Sequence, residues 1–180
     1  MIEGKKVLIR AIEKTDIDEI MKWINEREVM DNLIMRYPVS RYKEEKWIEK
    51  ALDDSNPRIK TFALETKDGV YLGGISLHGI DWENRNAEAG IVIGKKEYWN
   101  KGYGTDAMMT LLDFAFNRMN LHRVYLKVYD FNLRGIKSYE KCGFKREGVL
   151  RHDLYVNGEY HDSIIMGILK DEFKKIPNDR

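Results

Sequence analysis

The segment 99–105, Trp-Asn-Lys-Gly-Tyr-Gly-Thr, has the residue types of a phosphate-binding turn. Gly102 and Gly104 allow the backbone to turn sharply and to approach a ligand closely. An amphipathic helix is predicted to follow, so its first N–H groups and its dipole point into the turn. Lys101 adds a cation. The pattern predicts a cradle for a diphosphate. The residues assigned to it are Asn100, Lys101, Gly102, Tyr103, Gly104 and Thr105.

The same glycine spacing leaves two alternatives open. Gly102-x-Gly104-x-x-Ala107 also fits the dinucleotide-binding fingerprint, which has to follow the first strand of a doubly wound sheet. Here the segment lies mid-chain, and Asp130 comes later than the acidic residue that the fingerprint places ~20 residues on. We therefore rank a dinucleotide below other diphosphate ligands. A glycine turn that binds nothing is the second alternative.

Two polar residues follow on one predicted helix. Asn132 suits its N-cap, and Tyr139 lies seven residues later, two turns along the same face. Gly143 ends the helix. In isolation, a plain N-cap and a core aromatic explain these two residues.

A carboxylate lies on an otherwise apolar predicted strand, 86–94, for which we expect burial on both faces. Burying Glu88 there is costly unless the group is paired or used in chemistry. Three interpretations are open: a catalytic carboxylate, a strand-end charge in solvent, and an ion pair with Arg85.

These segments together resemble the GNAT superfamily of N-acetyltransferases. Segment 99–105 resembles its Q/R-x-x-G-x-G/A pyrophosphate loop, with Trp99 at the usual Gln or Arg. Segment 132–144 resembles N-x-x-A-x-x-x-Y-x-K-x-G-F, with Gly135 at the usual Ala. The start, 8–16, and the end, 148–162, are similar to the ribosomal-protein branch and to spermidine N-acetyltransferases.

The resemblance implies acetyl-CoA as cosubstrate and direct attack of a primary amine in a ternary complex. Glu88 would act as general base through water, and Tyr139 would give a proton to the departing thiolate. The amide of Val92 would face the thioester oxygen. The further residues that the resemblance assigns to CoA are Ile91, Ile93, Asn132 and Lys141.

The acceptor is less constrained than the donor. A polycation needs carboxylates near the loop after the first helices, and the segment 32–38 offers Arg36, with Asp31 beside it. We therefore expect a protein N-terminal amine or a small amine. A polyamine is the alternative acceptor, and a non-catalytic acyl-CoA sensor is the alternative from another class.

The elements that must position these residues are predicted from hydrophobic periodicity. Strands are expected at 6–10, 59–66, 70–77, 86–94 and 124–128, with two more around the turn 157–158. The first helix is expected to begin at Thr15, with Asp18 as its capping partner. Three further helices are expected at 40–52, after Gly102, and at 132–141. The segment 32–40 is expected to be a loop. This predicts an α/β (α+β) fold, one domain over 1–180, with a mixed, mostly antiparallel sheet of about seven strands and about four helices. The resemblance further implies that the sheet is splayed at the acetyl-CoA cleft.

The composition of the chain excludes several classes of protein. Lys and Arg number 31 and Asp and Glu 30, so no net field favours nucleic acid or an anionic membrane. The single Cys142 excludes a disulfide framework, and the four histidines lack metal-site spacing. The chain shows neither a signal peptide nor a membrane-spanning run, so we expect no metal, no membrane and a cytoplasmic location. The sequence is compatible with a homodimer.

Overall fold

The computed structural model describes residues 1–33, 35–53 and 55–174. Eight strands within these residues form one sheet: β1 (Ile2–Glu3), β2 (Val7–Ala11), β3 (Lys60–Thr66), β4 (Tyr71–Asp81), β5 (Asn86–Ile93), β6 (Arg123–Tyr129), β7 (Lys145–Val156) and β8 (Glu159–Leu169). Their order in the sheet is β1-β2-β3-β4-β5-β6-β8-β7. All neighbours are antiparallel except β5 and β6. The extra strand relative to the prediction is the two-residue β1.

In the described part of the chain, five α-helices flank the sheet: α1 (Ile17–Ile20), α2 (Arg27–Leu33), α3 (Arg41–Leu52), α4 (Tyr103–Asn117) and α5 (Leu133–Lys141). Single 3₁₀ turns lie at Lys14–Asp16, Lys96–Tyr98 and Lys170–Glu172. The predicted mixed fold with helices on both faces of the sheet is confirmed. The last turn of α2 extends into the segment predicted as a loop, of which Ile34 lies outside the described residues.

The predicted caps of the helices have mixed outcomes. Ser40 accepts a hydrogen bond from the Lys43 amide, as a Ser N-cap should. The predicted partnership of Thr15 and Asp18 is wrong. Instead Asp16 accepts the Glu13 amide at 2.8 Å, because the chain enters α1 through a 3₁₀ turn that begins at Lys14.

Two hydrophobic clusters lie on opposite faces of the sheet. The first packs α4 and α5 against the central strands and includes Leu77, Ala89, Met108, Leu112 and Leu126. The second packs α1, α2 and α3 against the other face and includes Ile20, Trp23, Val29, Ile48 and Ala63. The sheet is therefore the middle of three layers, and a gap in it connects the two helical layers.

That gap lies between β5 and β6. The two strands pair in parallel only at three positions, the last joining Glu88 to Tyr125. Beyond that pair β5 continues along β4 alone, as far as Ile93 opposite Gly73. The expected burial of β5 on both faces is wrong: Ala87 and Ala89 are buried, and residues 90–93 are half-buried because they border the gap.

Candidate active site

A cleft of about 700 Å³ occupies the gap and opens toward both helical layers. Its walls come from β4, β5 and β6, from the start of α4, from α5 and from α2 with Trp47 of α3. Most of the residues assigned from the sequence line it. They are Ile91, Val92, Ile93, Asn100, Gly102, Tyr103, Gly104, Thr105, Asn132, Tyr139 and Lys141. Glu88 and Lys101 are not among its lining residues.

The glycine turn forms one end of the cleft. Gly102 is the N-cap of α4 with φ +84°, a conformation that favours glycine. The first intrahelical bond joins the Asp106 amide to the Gly102 carbonyl, so the amides of residues 103–105 have no partner within the helix. A Cβ on Gly104 would meet only Ile93 Cδ1, at 3.6 Å, so the cradle is open.

The turn is fixed to the N-terminal strands. The carboxylate of Asp106 accepts the amides of Lys5, Lys6 and Val7 at 3.1, 2.7 and 3.1 Å. The Lys6 ammonium also donates to the Lys101 carbonyl at 2.8 Å. These contacts hold the start of α4, and with it the free amides, in one position.

The backbone of β5 alternates between β4 and the gap. The Gly94 amide donates to the Leu72 carbonyl at 2.8 Å, and a Cβ on Gly73 would lie 2.2 Å from the Val92 carbonyl oxygen. Antiparallel alternation therefore directs the Val92 amide toward β4, and the Ile91 and Ile93 amides toward the gap. The predicted placement of the Val92 amide against the thioester oxygen does not fit this geometry.

Tyr139 lies on α5, where α5 faces the cleft. Its ring meets Phe144 edge-on at 5.9 Å, and burial raises its pKa to about 12. The hydroxyl therefore keeps its proton at neutral pH. Nearby, burial also raises the pKa of Cys142 to about 12, and its thiol donates to the Thr105 carbonyl at 3.6 Å. Cys142 is thus a structural thiol between α5 and α4.

Glu88 is not a lining residue, but its chain neighbour Ala89 and its strand partner His78 both line the cleft. It is half-buried on β5, directly opposite His78 of β4 and Tyr125 of β6. No ion pair joins the described side chains of Glu88 and Arg85; Arg85 is exposed, with φ +55°. The ion-pair interpretation of Glu88 is therefore wrong.

Sequence reasoning missed three groups that line the cleft. Ser76 and His78 lie on the same face of β4, and their side chains are 2.6 Å apart. Alternation along a strand was the signal that could have joined them. The Arg134 guanidinium stacks 3.6 Å above the ring of Trp99, whose N–H donates to the Ile93 carbonyl at 2.7 Å.

The stacked pair gives Trp99 a role at the position where the pyrophosphate-loop pattern usually has Gln or Arg. The Trp99 side chain joins the end of β5 to Arg134 at the start of α5, across the mouth of the gap. Burial lowers the pKa of Arg134, while nearby Glu28 acts in the opposite direction. The guanidinium stays charged, because its usual pKa lies far above neutrality.

Charge in the cleft is one-sided. Its ionic lining groups are Lys127, Arg134, Lys137 and Lys141, and none of the described lining residues is an aspartate or a glutamate. Within residues 1–174, apart from 34 and 54, no three His, Cys, Asp or Glu side chains cluster as metal ligands would. In the same residues, every helix is too short or too polar to cross a bilayer.

Comparison with known proteins gives concordant matches. Residues 6–145 match the acetyltransferase (GNAT) domain family. A spermidine N(1)-acetyltransferase of Vibrio cholerae is 31% identical over 171 residues, which are 94% of this chain and 96% of that protein. A Bacillus subtilis relative, provisionally named a ribosomal N-acetyltransferase, is 40% identical over 107 residues, 59% of this chain and 58% of its own length.

A solved structure is similar over nearly the whole chain. The crystal structure of spermidine N-acetyltransferase from Vibrio cholerae in complex with CoA and spermine has a TM-score of 0.83 and 30% identity. It covers 92% of this chain and 96% of its own.

Proposed function

The chain belongs to the acetyltransferase (GNAT) domain family, and from that premise we propose that it acetylates the N-terminal amine of a peptide or another small monoamine. It is an N-acetyltransferase, and acetyl-CoA is its cosubstrate. The observation that carries the choice of acceptor is the cleft lining, which holds four cations and, among the described residues, no carboxylate.

The cleft suits CoA in three places. The free amides of residues 103–105 suit the diphosphate, because they combine N–H donors with the positive end of a 15-residue helix. Lys137 and Lys141 on α5 add positive charge to the cleft wall. The Ile91 and Ile93 amides, directed to the gap, suit the pantetheine and the thioester oxygen.

The protein contributes mainly position and proton transfer. Acetyl-CoA supplies the acyl group as an activated thioester. Holding the amine against it can lower the barrier by ~7–11 kcal/mol in favourable cases. We assign Tyr139 as the proton donor for the thiolate because it lines the cleft on α5 and is protonated at neutral pH. Glu88 supplies the negative charge for deprotonating the amine, acting through an intermediary because it does not line the cleft.

Electrostatics disfavours a polycation in this cleft. The acidic residues of and before α2 are already engaged: Lys96 pairs with Glu26 at 2.9 Å and Glu28 at 3.0 Å, and Arg27 lies 3.8 Å from Asp31. Lys127 is paired with Asp153 at 3.2 Å, so the lining cations with no described ion-pair partner are Arg134, Lys137 and Lys141. Their charge would repel spermidine, which carries several positive charges. They would tolerate a monoamine and attract an acceptor with a nearby carboxylate.

Spermidine is the second candidate, and its support is different. Relatives named spermidine N(1)-acetyltransferase match 94% and 96% of this chain at 31% identity. If the acids of α2 exchanged partners on binding, they could hold a polyamine.

An acceptor screen separates the two candidates. Purified protein with acetyl-CoA is offered N-terminal peptides, spermidine, amino acids and aminoglycosides, and free CoA thiol is measured. We expect kcat/KM for the best peptide or monoamine to exceed that for spermidine by at least ~10-fold, since a like charge in the cleft costs about 1.4 kcal/mol or more. A higher kcat/KM for spermidine would overturn the assigned acceptor but keep the acetyltransferase.

A further inference from the structure

We propose that Ser76 and His78 form the proton relay that takes the proton from the acceptor amine, with Glu88 behind them. The proposal rests on the proposed function. Glu88 does not line the cleft, and the Ser76–His78 pair would connect it to the acceptor amine. It adds two catalytic residues, both on β4.

Ser76 and His78 are within hydrogen-bonding distance of each other on the cleft wall. Ser76 Oγ and His78 Nε2 are 2.6 Å apart, and both residues line the cleft. Ser76 lies opposite Gly90, two residues closer than His78 to the open end of the gap. A Cβ on Gly90 would be 3.3 Å from Ser76 Oγ and 3.6 Å from His78 Nε2. The missing side chain therefore leaves the hydroxyl and the ring accessible from the cleft.

Ser76 and His78 lie on the face of the sheet opposite the one on which Tyr139 packs. Residues 76, 78, 88 and 90 share one face, because they occupy alternate positions on paired strands. That face is covered by α2 and α3, whose Asn32 and Trp47 line the same cleft. Tyr139 reaches the gap from α5 on the other face. The relay and the proton donor thus approach the gap from opposite sides, as an amine and a departing thiolate require.

The charges around the ring suit a base. Partial burial lowers the pKa of His78, and Glu88 on β5 acts in the opposite direction. Lys127 on β6 interacts with Glu88 and donates to Asp153 at 3.2 Å. On β3, the uncharged Thr61 lies opposite Ser76, and Lys60 lies opposite Leu77, whose side chain faces the other side. His78 is therefore neutral near pH 7 and able to accept a proton.

The proton balance is complete. The ammonium loses one proton to Ser76 Oγ while the Ser76 proton passes to His78 Nε2, which requires the imidazole tautomer protonated at Nδ1. The new N–C bond forms as the C–S bond breaks, and Tyr139 protonates the thiolate. The amide nitrogen loses its second proton through the same relay, after the ring has released the first one, and the Tyr139 phenolate takes back a proton from solvent. The net release is one proton for each acetyl group transferred. Glu88 stabilises the imidazolium as a nearby carboxylate, and the exposed side of the ring returns its proton to solvent.

The test compares pH profiles of kcat/KM for the parent, His78→Gln, Ser76→Ala and Glu88→Gln, with exposed His122→Gln as control. The probes are the peptide amide Ala-Gly-Gly-NH₂ and spermidine, whichever the parent acetylates faster. We expect His78→Gln to lose ~10²-fold or more at pH 7, with a loss that shrinks as the amine deprotonates at higher pH. Ser76→Ala should lose less, because a water can replace the hydroxyl.

Glu88→Gln separates the relay from direct base catalysis. Removing the carboxylate removes the influence that raises the pKa of His78, so the acidic limb should move to lower pH and persist. If Glu88 took the proton itself, that limb would disappear in Glu88→Gln and survive in His78→Gln. Such a result would overturn the relay, as would His78→Gln activity within about twofold of the parent.

Two further measurements keep the outcome decisive. Acetyl-CoA affinity should be unchanged in His78→Gln, which shows that the variant is folded. Imidazole should partly restore His78→Ala, whose missing ring leaves room beside Gly90; no rescue in a folded variant that binds acetyl-CoA would count against the relay. A parent that binds acetyl-CoA yet acetylates no amine would overturn the proposed function itself.

Discussion

At the residue scale, burial keeps the phenol of Tyr139 protonated at neutral pH. Tyr139 lines the cleft, and its ring packs on Phe144 and the surrounding core. Burial stabilises the neutral phenol, and a donor must hold its proton until the thiolate leaves. The same burial keeps Cys142 protonated, which removes it as a competing nucleophile.

Tyr139→Phe should lower kcat by ~10²-fold while changing the KM for acetyl-CoA little. The ring keeps its contact with Phe144, and only the proton is removed. Steady-state kinetics at saturating acceptor measure both constants. Unchanged kcat would make Tyr139 a packing residue.

At the element scale, the start of α4 combines three features in five residues. Gly102 supplies the positive φ, residues 103–105 supply free amides, and Asp106 anchors the turn to the N-terminal strands. Gly102 is a poor site for a test, because most substitutions there would strain the backbone. Gly104 has an ordinary conformation and open space around it, so it tests the cradle without disturbing the fold.

Gly104→Glu should weaken acetyl-CoA binding by at least ~10²-fold, because the carboxylate would fill the cradle with a charge like that of the diphosphate. Calorimetric titration measures the affinity, and circular dichroism checks the fold. Gly104→Ala is the matched control, and its Cβ meets Ile93 Cδ1 at an ordinary 3.6 Å. Equal affinity in the parent and in Gly104→Glu would refute the cradle.

At the scale of the whole molecule, the gap is where two long central strands of the sheet are only weakly paired. Only three residue pairs join β5 to β6, while β6 and β8 pair along seven. The stacked Trp99 and Arg134 add one bridge across the mouth of the gap. A ligand in the gap contacts both halves of the sheet and both helical layers, so it should stabilise the entire domain.

Acetyl-CoA at about 100 times its Kd should add roughly 2.7 kcal/mol, raising Tm by about 5–10 °C for a domain of this size. Differential scanning fluorimetry with acetyl-CoA, CoA, NAD and ATP measures the shifts. CoA should act like acetyl-CoA, and NAD should give no comparable shift. A shift with NAD and none with acetyl-CoA would contradict the assignment.

The sequence alone determined the features that depend on neighbouring residues. The N-cap at Ser40, the N-cap at Asn132, the turn at Gly102 and the hairpin at 157–158 are set by local backbone preferences. The resemblance of two short segments determined the family, because both glycines and Tyr139 stand in the expected pattern.

The tertiary structure decided what depends on residues far apart in the chain. Strand register placed Glu88 opposite His78 and turned the Val92 amide away from the gap. Ion pairs with Lys96 engage the acids near α2, which lie outside the cleft lining. These features follow from pairing between strands and from packing of helices on the sheet, and neither can be read from the order of residues in one segment.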